Sequence, residues 1–448
     1  MAFVTRTLAG RRDLLAPAAS YPERYVALLA SAVTGTPQSR FDMLFVAGDA
    51  SLTLSADGVT RDALGHSVPG NFLDALDAAW SAERRPRVDD GLPFHGGWVV
   101  YLGYELVGQI EPSLRLPLTR GTAPVAFALR SPAAVIVDHV EQRTILVAEE
   151  GAEPWLDILA ADIESTPPDL SFHAPLAVDE DEPSRFLEGV HRVHEHLRAG
   201  DVFQVNLSRR WTATFAEAPT PAGLMQALRH ANPAPFAGLL QQPGWAIVSS
   251  SPERLVESRD GILQTRPIAG TRPRVAGDDD AERIRELTTH PKERAEHVML
   301  IDLERNDLGR VCVPGSVKVD ELMVVESYAH VHHIVSNVRG HARAGVTPGQ
   351  VIAATFPGGT ITGCPKVRCM EIIGALEQEP RGAYTGALGY LDDNGDMDLN
   401  ILIRTLAVEG TQVSFRAGAG IVTDSVPEKE LDETRAKARG LLRVFGAT

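Results

Sequence analysis

GYLDDNGDMDLNILIRT, residues Gly389–Thr405, is the stretch that decides the fold class. Asn394-Gly395 at its centre is a favoured two-residue turn, because both residues tolerate positive φ. It predicts a hairpin at Asp393–Gly395 and so antiparallel pairing. Beyond the turn, Asn400–Thr405 alternates, with Ile401 and Ile403 on one face and Leu402 and Arg404 on the other. A charged residue on the Leu402 face is costly unless an anion meets it.

Working outward, Trp245–Val248 reads as a strand and Lys366–Leu376 as a helix. Phe186, Val190, Val193 and Leu197 recur at helical spacing, and Gly200 supplies the stop. Toward the N-terminus, Met43–Val46, Trp98–Tyr101 and Ala134–Val137 are short apolar runs between loops. No repeat of solenoid period is visible. The pattern predicts an α+β fold, a large mixed core of antiparallel β-sheets with helices packed outside, rather than a regular βαβ series. The acidic stretch Ala177–Ser184 (AVDEDEPS), preceded by the polar Ser165–Asp169, reads as a linker. It divides an N-terminal region, 1–175, from a C-terminal region, 184–445, that opens with the Phe186 helix.

The 448 residues are 44% hydrophobic and 23% charged, an ordinary globular composition. The formal net charge of −16 argues against nucleic acid, which needs a basic surface. It does not argue against a small anionic substrate held by a metal ion and a few convergent cations. Cys312, Cys364 and Cys369 are too few and scattered for a disulfide framework or a zinc site. No apolar run suits a signal peptide or a membrane span, so a soluble cytoplasmic protein is expected.

Chemistry-bearing residues concentrate in the C-terminal region. Glu293 and Glu296 lie three apart and share a helix face. In SVPEKELDETRAKARGLLRVF, Ser425 and Glu428 form a capping-box pattern, with Pro427 in the first turn. Glu430, Glu433 and Lys437 follow on one face. Spacing alone fits a solvated, salt-bridged surface as well as it fits carboxylates from two helices meeting around Mg²⁺. FPGGTITGCPK separates Gly358 and Gly363 as a phosphate loop would. Its lysine is displaced and Pro365 removes a donor, so a nucleotide site is rejected. A helix start at Pro365 remains expected. RAGAGIV (Arg416–Val422) signals a tight backbone approach, and His332 and His333 taken singly could be core or surface residues.

Seven segments together carry more than any one. They are GDVFQVNLSRR (Gly200–Arg210), SSSPERLV (Ser249–Val256), RPIAGTRPR (Arg266–Arg274), EHVMLIDLERNDLGRVC (Glu296–Cys312), HHIVSNVRG (His332–Gly340), FPGGTITGCPKVRCMEII (Phe356–Ile373) and GAGIVTDSVPEKELDETRAKA (Gly418–Ala438). In this order they resemble the chorismate-utilising enzyme family, which includes anthranilate, aminodeoxychorismate, isochorismate and salicylate synthases. The resemblance implies that Glu296 and Glu433 ligate Mg²⁺, with Glu293 and Glu430 supporting the site. It implies that Glu253 is the general acid, and therefore a carboxyl whose pKa burial should raise. Tyr384, Arg404, Lys437 and the backbone N–H groups of Gly418 and Gly420 match positions that hold the substrate's carboxylates. Thr360 and His333 match residues lining the ring pocket, and Thr271 lies in the matching PIAGT segment.

Two positions speak to which reaction the resemblance implies. Members that add water carry a lysine base where this chain has Gln204, which cannot deprotonate water. Ammonia needs no such base. Many aminodeoxychorismate synthases attach substrate to a lysine at the position of Ala269, whereas anthranilate synthases have alanine there. NPAPFAGLL (Asn232–Leu240) and GGTITG (Gly358–Gly363) resemble aminodeoxychorismate synthases, and LLASA departs from the LLES of tryptophan-regulated anthranilate synthases. The expected activity is therefore component I of aminodeoxychorismate synthase without a lysine adduct, with anthranilate synthase component I as the alternative. No cysteine–histidine glutaminase signature is present, so the resemblance implies ammonia from a separate glutamine amidotransferase subunit.

Overall fold

The computed structural model describes residues 3–31, 39–119, 121–273, 282, 284–285, 291–327 and 331–446. Among these, the strands form two antiparallel sheets, of twelve and eleven strands. Strand faces explain the layering. In Phe41–Val46, Met43 and Phe45 point to one buried side while Leu44 and Val46 point to the other. Ala133–Asp138 repeats this with Ala134 and Ile136 against Val135 and Val137. The first set meets Val99, Tyr101, Phe127 and Leu129 of the second sheet, which makes the layer between the sheets. The opposite face packs under the helices Trp155–Asp162, Pro221–Ala231 and Pro427–Leu442. The second sheet's outer face is covered by Phe72–Glu83, Pro291–Gly309 and Pro348–Thr355. Strands buried on both faces read as continuous apolar runs, and each large side chain so buried contributes roughly 1.5–3 kcal/mol.

The regions 1–175 and 184–445 both contribute strands to each sheet. Tyr25–Ala30 pairs with Phe236–Gln242 in the first (Ala30 opposite Ala237), and Gly97–Leu102 pairs with Ala387–Asp392 in the second. The supposed linker is also structured. Ala177–Glu180 is an edge strand on Trp211–Thr214, and its acidic run is met by cations: Glu180 pairs with Arg209 at 2.7 Å and Arg435 at 2.8 Å.

The helix Pro183–Ala199 buries Phe186, Val190 and Val193 and ends at Gly200 with φ 79°. The hairpin forms, but with a three-residue loop, 393–395. Asp392 N–H donates to Asp396 O at 2.8 Å, Asn394 N–H donates to the Asp392 carboxylate at 2.8 Å, and Gly395 takes φ 95°. The alternating run after it is not one strand. Met397–Ile401 belongs to the second sheet and Thr405–Glu409 to the first, and Arg404 between them adopts φ 52°. Arg404 therefore does not share a strand face with Leu402: Leu402 is buried in the layer between the sheets, whereas Ile403 and Arg404 line a cavity at the crossover. The helix start at Pro365 is present, as the N-cap of Lys366–Glu377. The capping box is not. Ser425 Oγ instead accepts from Val422 N–H at 3.1 Å, and the helix begins after Val426, with Pro427 in a position that needs no donor. Among the described residues, no helix is long and apolar enough to cross a membrane.

Candidate active site

Two chain crossovers run side by side and frame the site. Trp245–Ser251 in the first sheet passes through Pro252-Glu253 into Arg254–Arg259 of the second. Leu402–Arg404 makes the return passage. They are stitched together by Ile401 N–H to Glu253 O (3.0 Å), Ser250 N–H to Arg404 O (3.1 Å) and Ser251 Oγ to Ile401 O (2.5 Å). Bidentate bonds from Arg254 to Asp398, both 2.8 Å, fix the same junction. A cavity of about 810 Å³ opens there, lined by Gln204, Glu253, Ala269, Glu293, Glu296, His333, Thr360, Tyr384, Arg404, Gly418, Gly420, Glu430, Glu433 and Lys437. Residues spread over more than 200 positions of sequence thus share one chamber. Thr271 sits on the strand Ile268–Pro273 opposite His333, but its side chain lies outside the described residues.

Glu253 lines this chamber. Burial pushes its carboxyl up to about 7, against the opposing pull of the Thr360 hydroxyl, Lys437 and Arg404. Thr360 Oγ1 donates to its Oε2 at 3.2 Å. Burial also holds His333 down to about 4, so this imidazole is neutral, with a backbone hydrogen bond at Gly270. Glu253 is therefore a group in the cavity whose proton is available near neutrality.

The lining beside Glu253 is built for anions. Burial lowers the Arg404 pKa, and Tyr384, Glu253 and Glu433 oppose that effect. Its guanidinium donates to the Lys437 carbonyl, and no described carboxylate lies within ion-pair reach of it. Lys437 Nζ bonds Gly418 O at 3.0 Å and Glu433 at 2.7 Å. Gly418 and Gly420 line this wall on the strand Gln412–Ile421. A Cβ on Gly418 would come within 2.7 Å of both Asn206 Oδ1 and Tyr384 Oη, and one on Gly420 within 2.3 Å of Gln204 Nε2. Only glycine leaves that space open. The two glycines are needed for close approach, as RAGAGIV suggested.

Glu293 and Glu296 come from one helix and Glu430 and Glu433 from another, and all four line the cavity. Glu296 Oε1 accepts from Gln204 Nε2 at 3.2 Å. Among the described residues, no three acidic, histidine or cysteine side chains converge into a preset metal cluster. An all-oxygen wall of this kind suits a hard cation that takes one or two carboxylates and completes its shell with water and substrate.

Asn206 and Arg416 also line the cavity and were not singled out from sequence. Asn206 Oδ1 and Gln204 Oε1 are buried acceptors without a partner among the described residues. Strand alternation offered the signal for Asn206, since it lies two residues beyond Gln204 on the same face.

The description "chorismate binding enzyme" matches residues 31–443. A protein of Synechocystis sp. named anthranilate synthase component I-like is 43% identical over 363 residues, covering 79% of this chain and 74% of its own. Aminodeoxychorismate synthase component 1 of Bacillus subtilis is 39% identical over 410 residues, covering 87% and 86%. The crystal structure of anthranilate synthase component I from Streptococcus pneumoniae superposes with a TM-score of 0.81 at 32% identity, covering 91% of this chain and 93% of that one.

Proposed function

The chain belongs to the chorismate-binding enzyme family, and within it we propose that this protein is component I of an aminodeoxychorismate synthase, converting chorismate and ammonia to 4-amino-4-deoxychorismate in the cytoplasm. The observation that carries the proposal is the cavity itself: Glu253, an acid poised near pH 7, shares one chamber with the cationic and N–H donors of Arg404, Lys437, Gly418 and Gly420. Those donors suit a dicarboxylate. Glu253 would protonate the ring hydroxyl as its C–O bond breaks, so that it leaves as water. Gln204 and Ala269 also line the chamber, which supports ammonia rather than water as nucleophile and leaves alanine where an adduct-forming lysine would stand. Ammonia would then add first beside the ring carboxylate. A second ammonia would displace that amine while adding at the carbon that bore the hydroxyl.

Glu296 and Glu433, with Glu293 and Glu430 close by, would hold Mg²⁺, whose charge would offset the ring carboxylate. Ammonia would come from a separate glutamine amidotransferase subunit. Tryptophan-regulated anthranilate synthases carry a glutamate at the position of Ala30. Here Ala30 is buried in the apolar layer under the first sheet, which supports the first reading.

Ala269 favours a second reading, anthranilate synthase component I. Purified protein with chorismate, Mg²⁺ and excess ammonium, analysed by mass spectrometry, separates the two. The expected product is 4-amino-4-deoxychorismate with little pyruvate. Brief reactions should also show a small dissociable pool of the ortho-aminated intermediate. Stoichiometric pyruvate together with fluorescent anthranilate would overturn this choice in favour of the second.

A further inference from the structure

Behind the cavity, and not lining it, is a carboxylate with every acceptor position in use. Glu377 is 5% exposed, in the last turn of the helix Lys366–Glu377. Its Oε1 accepts from Ser208 N–H at 2.9 Å, Ser208 Oγ at 2.8 Å and Arg381 Nη2 at 2.7 Å. Its Oε2 accepts from Arg381 Nε at 3.0 Å and Arg416 Nη2 at 3.1 Å. Burial pulls this carboxyl up, but the Arg381 and Arg416 guanidiniums more than offset it and hold it below the usual carboxylate range.

Each partner of Glu377 leads to a different wall of the reaction chamber. Arg381 donates to the carbonyls of Asn206 at 2.8 Å and Ile361 at 3.3 Å, and its guanidinium stacks over the Tyr384 ring at 5.4 Å. Arg416 lies two residues before Gly418, on the strand that carries both wall glycines. Its Nε donates to Ser208 Oγ at 3.0 Å, which joins that strand to the one carrying Gln204 and Asn206. Asn206, Ile361, Tyr384 and Arg416 all line the cavity. Two guanidiniums against one carboxylate leave the cluster with a net positive charge just beneath the place where a dianion would sit.

We propose that Glu377 is a positioning residue: through Arg381, Arg416 and Ser208 it sets the mutual placement of Asn206, Ile361, Tyr384 and the Gly418–Gly420 wall, and so the register of chorismate against Glu253. The proposal rests on the chorismate reading of the site. Every contact to the Glu377 carboxylate is a donor, so an amide at this position turns one of its own donors against an arginine or Ser208. Small displacements of a positioning group can cost on the order of 100-fold in rate.

The test uses full-length Glu377→Gln, Glu377→Asp and Ser208→Ala. It reads chorismate disappearance with Mg²⁺ and ammonium, so that it does not depend on which product forms. Affinity for an unreactive chorismate analogue is measured by calorimetry, and the folded fraction by circular dichroism. Glu377→Gln should lose roughly 100-fold in kcat/KM per folded molecule, about tenfold in turnover and about tenfold in analogue affinity. Glu377→Asp, which keeps the charge, should recover at least about tenfold of that. Ser208→Ala, which only removes a hydroxyl, should fold normally and fall about tenfold, weakening analogue binding less than turnover. Losses that simply follow the folded fraction, or Gln and Asp variants of equal activity, would overturn the assignment. If wild-type protein leaves chorismate untouched, the functional reading fails. The analogue arm then decides the positioning role alone: about a tenfold loss of affinity in Glu377→Gln upholds it, and unchanged affinity overturns it.

Discussion

Thr360 Oγ1 stands 3.2 Å from Oε2 of Glu253, donating to the very carboxyl that burial pushes up to about 7. The hydroxyl favours the ionised form and desolvation favours the acid, and desolvation wins. Since the acid form protonates the leaving hydroxyl, kcat/KM for chorismate, compared at a constant concentration of free NH3, should be intact below about 7 and fall as pH rises through it. Thr360→Val removes the donor and should move this limb upward by roughly half to one unit. Glu253→Gln should bind chorismate yet lose roughly 10²–10⁴-fold in turnover. Rate profiles of the three proteins check this. An alkaline limb that stays put in Thr360→Val would mean that another group titrates.

Glu433 pairs with Lys437 at 2.7 Å across one helical turn, at a half-exposed site. Such a pair contributes about 0–1 kcal/mol, so Glu433→Gln should melt within a few degrees of wild type. Its chorismate turnover should nonetheless drop below roughly one per cent at ordinary Mg²⁺. Mg²⁺ titrations of activity give the comparison, and near wild-type turnover would remove Glu433 from the ligand set.

Gly418 has no room for a methyl group: Tyr384 Oη and Asn206 Oδ1 would lie 2.7 Å from it and the Leu207 carbonyl 2.8 Å. The backbone contact cannot rotate away. Gly418→Ala should therefore reduce kcat/KM by about 100-fold. Gly420→Ala meets only the end of the Gln204 side chain and should be milder. Steady-state kinetics of the pair, with the order reversed, would place the tight wall elsewhere.

Arg254 and Asp398 form a largely, not fully, buried bidentate pair beside Glu253. Arg254→Met strands the Asp398 carboxylate and should cost about 2–3 kcal/mol of stability. Replacing both residues together with apolar ones should recover much of this loss. Denaturation midpoints of the single and double variants provide the measurement.

Local signals alone were enough for the elements whose causes are local. The Asn394-Gly395 hairpin, the Phe186–Val193 stripe ended by Gly200 and the helix start at Pro365 follow from backbone preference and apolar spacing, and all are present. The family was legible in the seven segments, because their residue types recur in order along the chain. Where neighbours in space compete with neighbours in sequence, the local reading failed. Ser425 turned to Val422 rather than capping its helix, and the acidic stretch at 177–180 became an edge strand because Arg209 and Arg435 wait beside it.

What only the tertiary structure decided is the juxtaposition at the site. Nothing in the strand alternation around Arg404 shows that the chain changes sheets there, nor that Glu253, about 150 residues earlier, sits at the parallel crossover. That meeting is fixed by long-range bonds such as Ile401 N–H to Glu253 O, which no local propensity encodes. The same holds for Glu377: in sequence it is one more glutamate near a helix end. It becomes the anchor of several cavity walls only because Ser208, Arg381 and Arg416 converge on it. A buried carboxylate is tolerable only with that many donors, and only the folded chain can bring them together.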